Sequence, residues 1–136
     1  MVIKNPQYNN SESIKRPQTI ADNTDSDTPV FSLELMVNGY CLARVSKDRK
    51  AHFADALFKR RQLSWIQLKL GGRHALGCEI IPREALRKPV PKKVPNDVNI
   101  IAFRCHDMIP MVGYRDGRIF HIIWIDWVLD LYDHGS

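Results

Sequence analysis

The chain predicts an α+β fold, one main helix packed on a largely antiparallel sheet, and three observations carry that prediction. Asn38-Gly39 and Asp116-Gly117 each interrupt runs of strand-compatible residues, the signature of tight hairpins. Only one long segment, after Ser46, repeats its apolar residues at helical spacing. No internal repeat or heptad pattern runs through the sequence, and 136 residues with 44% hydrophobic content suffice for one buried core without staples.

Residues 1–29 hold few large apolar side chains and many Asn, Ser, Thr, Asp and Pro. Such a stretch cannot bury enough surface to offset the entropy of ordering, so a disordered polar tail, or an arm that orders on a partner, is expected there. A single domain is expected over residues 30–136. FSLELMV and YCLARV, joined by Asn38-Gly39, read as its first hairpin, because that dipeptide readily takes the two positive φ values of a type I′ turn.

Ser46 is placed to cap a helix over about residues 47–63, with Phe53, Ala54, Leu57 and Phe58 on one face. WIQLKL alternates as a strand does, Ile66, Leu68 and Leu70 sharing a side, although a second short helix fits the same residues. Gly71-Gly72 breaks the chain and ALGCEII resumes as a strand. Pro82 suits the first position of a short helix, IPREALRK, and PVPKKVP should then stay extended. VNIIAFRC is a strand, and Asp116-Gly117 turns IPMVGYR into RIFHIIWI. The sheet therefore has about five to seven strands.

In the last strand, alternation places Ile119, His121, Ile123 and Ile125 on one face and Phe120, Ile122 and Trp124 on the other. Both faces are apolar, so the strand is interior and helix-covered on at least one side. Burial disfavours an imidazolium, which makes His121 a neutral, hydrogen-bonded core histidine; a catalytic role would need an opening and a second polar group. Tyr132 and His134, two residues apart, share a side of an extended segment. With Arg104 or Arg115 from a neighbouring strand they could form an acid–base cluster at a sheet edge.

Charge is unevenly distributed. Residues 1–29 carry net −1, residues 30–95 net +9 and residues 96–136 net −3, within a total of +5. A middle segment so basic suits a polyanion, because Lys and Arg displace condensed counterions. The candidate phosphate-holding set is Lys59, Arg60, Arg61, Lys69, Arg73, Lys92 and Lys93, with Arg87 and Lys88 beside them and His74 and Trp65 near enough to stack on bases. Trp65 also fits the core, given the large burial gain of an indole. The acidic end beside a basic middle permits head-to-tail self-association as well.

Other chemistries find little support. No apolar run approaches the roughly 20 residues that span a bilayer, and the N-terminus lacks a signal-like apolar stretch. Three cysteines without framework spacing fit a reducing, cytoplasmic interior. No metal site is expected: Cys105 and His106 are adjacent in a strand and diverge, and there is no C-x-x-C pair. Cys41 and Cys78 lie in apolar strands, where thiols act as small hydrophobes. No cofactor is expected either, since Gly71-Gly72 lacks the Lys-Ser/Thr of a phosphate loop. Asp107, Asp116 and Asp126 read as turn residues.

The stretch FRCHDMIPMVGYRDGRIFHIIWIDWVLDLY resembles the C-terminal part of small bacterial and mobile-element proteins that end in F-x-x-x-W-x-D and a closing L-Y. Phe120, Trp124, Asp126, Leu131 and Tyr132 occupy those positions, and Leu129 stands where a histidine is common in them. More distantly, a helix-bearing basic half followed by antiparallel strands with an Arg and a late Tyr is similar to toxins of the RelE/ParE kind. That resemblance implies a small sheet packed on helices and, as in the nuclease members, cleavage of mRNA on the ribosome. It implicates Arg104 and Tyr132, with His134 as acid or base. Two readings stay open. One is a toxin-like RNA-interacting protein. The other is a non-catalytic binding module (antitoxin, immunity protein or phage or mobile-element regulator) that engages nucleic acid or an acidic protein.

Overall fold

The computed structural model describes residues 24–71 and 76–134. The fold is α+β. Five strands, β1 (Val30–Ser32), β2 (Cys78–Ile81), β3 (Ile100–His106), β4 (Ile109–Asp116) and β5 (Ile119–Ile125), form one sheet in the order β1-β5-β4-β3-β2. Only β1 pairs parallel, with β5; the other three pairings are antiparallel. Two helices, α1 (Lys47–Arg60) and α2 (Trp65–Gly71), cover one face of the sheet. Irregular segments cover the other. None of the described helices is long and apolar enough to cross a membrane.

The first hairpin does not form. Asn38-Gly39 does make a turn, Tyr40 N–H donating to Val37 O at 3.0 Å, but only Gly39 takes positive φ, so the geometry is not type I′. The chain instead wraps the β5 side of the sheet: Val37 N–H donates to Ile123 O and Ile125 N–H to Tyr40 O. Leu35 and Val37 pack on one face while Met36, Leu42 and Val45 reach the other. Residues alternating in this way can clasp a sheet edge as readily as they can pair in a ladder.

Ser46 caps α1 as its position suggests, its Oγ accepting the Arg49 N–H at 3.1 Å. The helix ends at Arg60, three residues before the expected Leu63. Its inward stripe is Phe53, Ala56 and Arg60, all buried, with Leu57 partly buried beside them; of the expected set, Ala54 and Phe58 face solvent. The spacing i, i+3, i+4, i+7 is a perfect helical face. Its last position holds an arginine, which disguised it. WIQLKL is helix α2, not a strand. Ser64 and Gln67 cap it reciprocally, Ser64 Oγ accepting the Gln67 N–H and Gln67 Oε1 accepting the Ser64 N–H. Trp65 and Leu68 point inward, while Ile66 and Leu70 are exposed.

The segment expected to be a short helix after Pro82 is a single 3-10 turn, Arg83–Ala85. PVPKKVP is not fully extended; Val94 N–H closes a turn onto Pro91 O at 3.0 Å. Residues 24–29, assigned by their composition to the tail, are packed. Trp65 N–H donates to Asp27 O, and the Asp25 carboxylate bonds Lys69 and Arg115. Residues 1–23 lie outside the described residues.

The Asp116-Gly117 hairpin is present, with Gly117 at φ 62 in the first loop position, as a type II′ turn requires. Between β4 and β5 the register jumps: Val112 faces Trp124 but Gly113 faces Ile122. This bulge inverts the alternation of β5. Ile125 thereby joins Phe120 and Ile122 on the helix face, and Ile123 and Trp124 turn together to the opposite face. A Cβ at Gly113 would overlap the His121 carbonyl, so the bulge depends on glycine there.

Candidate functional site

On the helix-free face, three of the singled-out residues line one pocket of about 230 Å³: Arg104, Tyr132 and His134. Arg104 is on β3, two positions from Ala102, which shares the face. Tyr132 and His134 arrive from the far end of the chain, and the path of that segment is fixed by Asp126. Its buried carboxylate accepts the Asp130 N–H at 2.9 Å and the Leu131 N–H at 3.0 Å. Leu129 takes φ 60 within that turn, Leu131 is buried in the core, and Leu131 O accepts the Arg87 N–H at 2.8 Å. The C-terminal segment is thus folded back across β3.

His134 Nε2 lies 2.9 Å from Asp126 Oδ2. An ionised carboxylate only accepts, so Nε2 carries a proton and, in the neutral ring, Nδ1 is left as the acceptor. The Tyr132 and His134 rings are 4.1 Å apart at 32°. Arg104 makes no hydrogen bond or ion pair through its guanidinium with any described residue; its main-chain carbonyl accepts from Arg60. Glu79 and Asp133 also line the pocket, alongside the apolar Ile80, Ile81, Pro82, Ala85 and Met108. Arg115 is elsewhere. It reaches the helix side, bonded to Asp25 and Thr24 and lying over the Trp65 ring, so the cluster forms with Arg104 alone.

The basic set does not converge. Arg60 is only 2% exposed and cannot hold a phosphate: it donates to the carbonyls of Ala56, Leu76 and Arg104 and covers the Phe103 ring. Burial pulls its pKa down to about 10. Lys59 pairs with Asp55 at 3.0 Å and Lys69 with Asp25 at 2.8 Å. The latter contact, together with the Arg115 hydrogen bond, holds the Asp25 carboxyl below its usual range. Arg61 is exposed over the Phe58 ring. Lys92 and Lys93 are exposed in a loop whose Val90 and Val94 pack on the opposite side of the sheet from α1. Arg73 and His74 lie outside the described residues. The candidate phosphate-holding set is therefore divided between two faces.

The remaining candidates resolve individually. Trp65 is core, fully buried with Nε1 donating to Arg118 O at 3.1 Å. Cys105 sits in the helix-side core and His106 outside it, diverging as adjacent strand residues must. Burial pushes the Cys105 thiol up to about 11 and raises that of Cys78, which disfavours the nucleophilic thiolate. His121 is half-buried and stacks on Tyr114 at 4.8 Å, but its buried Nδ1 finds no partner among the described residues, so the expected hydrogen bond is missing there. His106 instead stacks on His52, 3.5 Å apart, a pairing with no periodic signal in the sequence. Among the described residues no three metal-ligating side chains converge.

Asp126 has a second contact that its place in the sequence does not announce. It is a turn residue, as expected, and also the partner of His134; the eight-residue separation gave no sign of the second role. Compared with protein-family models, curated proteins and solved structures, the chain matches none.

Proposed function

We propose that the protein is a small, toxin-like RNA-interacting protein of the cytoplasm, encoded on a mobile element, whose Arg104–Tyr132–His134 pocket cleaves mRNA on the ribosome. The observation that carries this reading is the guanidinium of Arg104, without a partner among the described residues, in one pocket with a phenol and a carboxylate-held imidazole. In the proposed reaction the neutral His134 ring takes the proton of a ribose 2′-hydroxyl, and the 2′-oxygen attacks the adjacent phosphorus. The bond from phosphorus to the 5′-oxygen breaks, and Tyr132 donates a proton to that leaving oxygen. Arg104 stabilises the charge that develops on the non-bridging oxygens. The products are a 2′,3′-cyclic phosphate and a 5′-hydroxyl. Glu79 and Asp133 on the same lining make local net charge a poor phosphate trap, so the reading requires a contact by Arg104 itself.

A second reading is favoured by the fate of the other cations. With Arg60 buried and Lys59, Lys69 and Arg115 committed to aspartates, the basic segment resembles a structured binding surface more than a phosphate track. A non-catalytic module that engages nucleic acid or an acidic protein such as an antitoxin fits that arrangement. Inducible expression in bacteria separates the two. Growth arrest with transcript cleavage, abolished by Arg104→Ala and Tyr132→Phe, supports the nuclease. Normal growth with intact transcripts removes it, and salt-dependent retention of RNA without cleavage supports the binding module.

A further inference from the structure

Between Pro82 and Val98 the chain carries Arg83, Arg87, Lys88, Lys92 and Lys93 against two acids, Glu84 and Asp97. The Arg83 guanidinium is bonded to the carbonyls of Pro95 and Val98. The other four basic side chains are exposed, and none has a hydrogen-bond or ion-pair partner among the described residues. Packing sets their direction. Leu86, Val90 and Val94, spaced four apart, turn into the core of the helix-free face and leave the cations between them in solvent. The loop is also fastened: Arg87 N–H donates to Leu131 O at 2.8 Å and Val94 N–H to Pro91 O at 3.0 Å. Pro89, Pro91 and Pro95 restrict φ, so the loop loses little freedom when a partner binds. It adjoins the Arg104 pocket, since Pro82 and Ala85 line that pocket and Leu131 precedes Tyr132 in its wall. From Arg87 to Lys93 the chain spans at most about 20 Å.

We infer that the Arg87–Lys93 loop is the grip for an RNA strand whose reacting phosphate lies at Arg104. The inference rests on the RNA-interacting reading for the identity of the strand. It adds the surface that holds the strand, which the pocket lining, with Glu79 and Asp133 in it, does not supply. Exposed lysines beside inward-turned valines give a protein partner no apolar anchor, and the cores of protein interfaces are depleted of lysine. A phosphate backbone needs only the charges. Residues 82–98 contain no aromatic side chain on which a base could stack, so the loop contacts phosphate without reading sequence. The cations under the helices take no part: Lys59 and Lys69 are paired with aspartates, and Arg60 is buried.

The test uses the full chain and a short, unstructured, fluorescein-labelled RNA of mixed sequence with 2′-O-methyl riboses, read by anisotropy across a salt series. Blocking the 2′-hydroxyl removes the nucleophile, so binding is measured without cleavage. Each phosphate neutralised on a single strand adds about 0.7 to the slope of log K against log salt. Lys92→Ala with Lys93→Ala should flatten that slope by about 1.4 and weaken binding about tenfold at low salt. Lys47→Ala with Lys50→Ala removes the same charge from exposed positions on α1 and should leave the slope as it is. Three results overturn the proposal. These are equal flattening by the two pairs, no RNA bound by the unmodified protein at low salt, or displacement of the RNA by polyglutamate at matched charge, which would assign the loop to an acidic protein. Cleavage of unblocked RNA with an unchanged slope in the loop variant would sink the grip and leave the nuclease. A flattened slope without any cleavage of unblocked RNA would support the grip and remove the nuclease.

Discussion

The carboxylate of Asp126 and the imidazole of His134 are 2.9 Å apart, and the same carboxylate accepts the main-chain N–H groups of Asp130 and Leu131. One fully buried side chain therefore shapes the C-terminal turn and orients the ring that the turn delivers. Asp126→Ala removes the acceptor for two main-chain donors, that of Leu131 buried and that of Asp130 partly so, and should cost about 2–4 kcal/mol, read as a lower midpoint in urea unfolding. His134→Ala leaves that turn intact and should cost less than about 1 kcal/mol. Equal losses for the two variants would mean the turn does not depend on the carboxylate.

Gly113 meets the His121 carbonyl at the β4–β5 bulge, and no side chain fits between them. Gly113→Ala should destabilise by about 3 kcal/mol or more, since backbone rather than a mobile side chain must give way. Gly39→Ala, at φ 86 with nothing near its missing Cβ, should cost only about 1–2 kcal/mol for the left-handed conformation. Thermal unfolding of the two variants side by side checks the order.

Arg60 is a structural cation. Arg60→Ala strands three carbonyls and should lower stability by about 3 kcal/mol, and Arg60→Lys should recover little of it because an ammonium lacks the planar fork that reaches all three. Any loss of RNA binding in these variants should follow their loss of fold, measured by circular dichroism at the assay temperature.

Alkaline pH should destabilise the protein through Tyr40 and Cys105. Burial, and then the Asp130 hydrogen bond, push the Tyr40 phenol up to about 12; burial lifts the Cys105 thiol to about 11. Raised acids favour the folded state below their unfolded values, and that contribution is lost as pH climbs through the folded ones. Melting temperature should therefore fall progressively from about pH 9 to pH 12. Tyr40→Phe should be less stable at neutral pH, having lost its bond to Asp130, yet should fall less steeply above pH 10.

Much of the architecture was legible. The Ser46 cap, the Asp116-Gly117 turn and the apolar runs around it located α1, β4 and β5, because local chemistry and tertiary packing agree there. The failures have specific causes. Ile66, Leu68 and Leu70 alternate, but the Ser64–Gln67 capping box and the burial of Trp65 with Leu68 decided for helix. Arg60 completes an apolar stripe in a position that charge alone assigns to solvent. The β5 faces were misjudged after Ile122, because a bulge is a property of two strands and one strand's alternation does not record it. At the candidate site, the two-residue spacing of Tyr132 and His134 and the placement of Arg104 were readable. The contact of His134 with Asp126 was not, since it depends on the chain folding back through Leu129.

The central claim, that Arg104, Tyr132 and His134 form one RNA-cleaving pocket, is tested most directly by incubating the purified protein with mRNA on purified ribosomes and mapping the ends by primer extension. The account predicts discrete cleavage that leaves 2′,3′-cyclic phosphate ends, lost in Arg104→Ala and His134→Ala proteins whose melting curves remain cooperative. Intact mRNA, or the same cleavage by those folded variants, would contradict it.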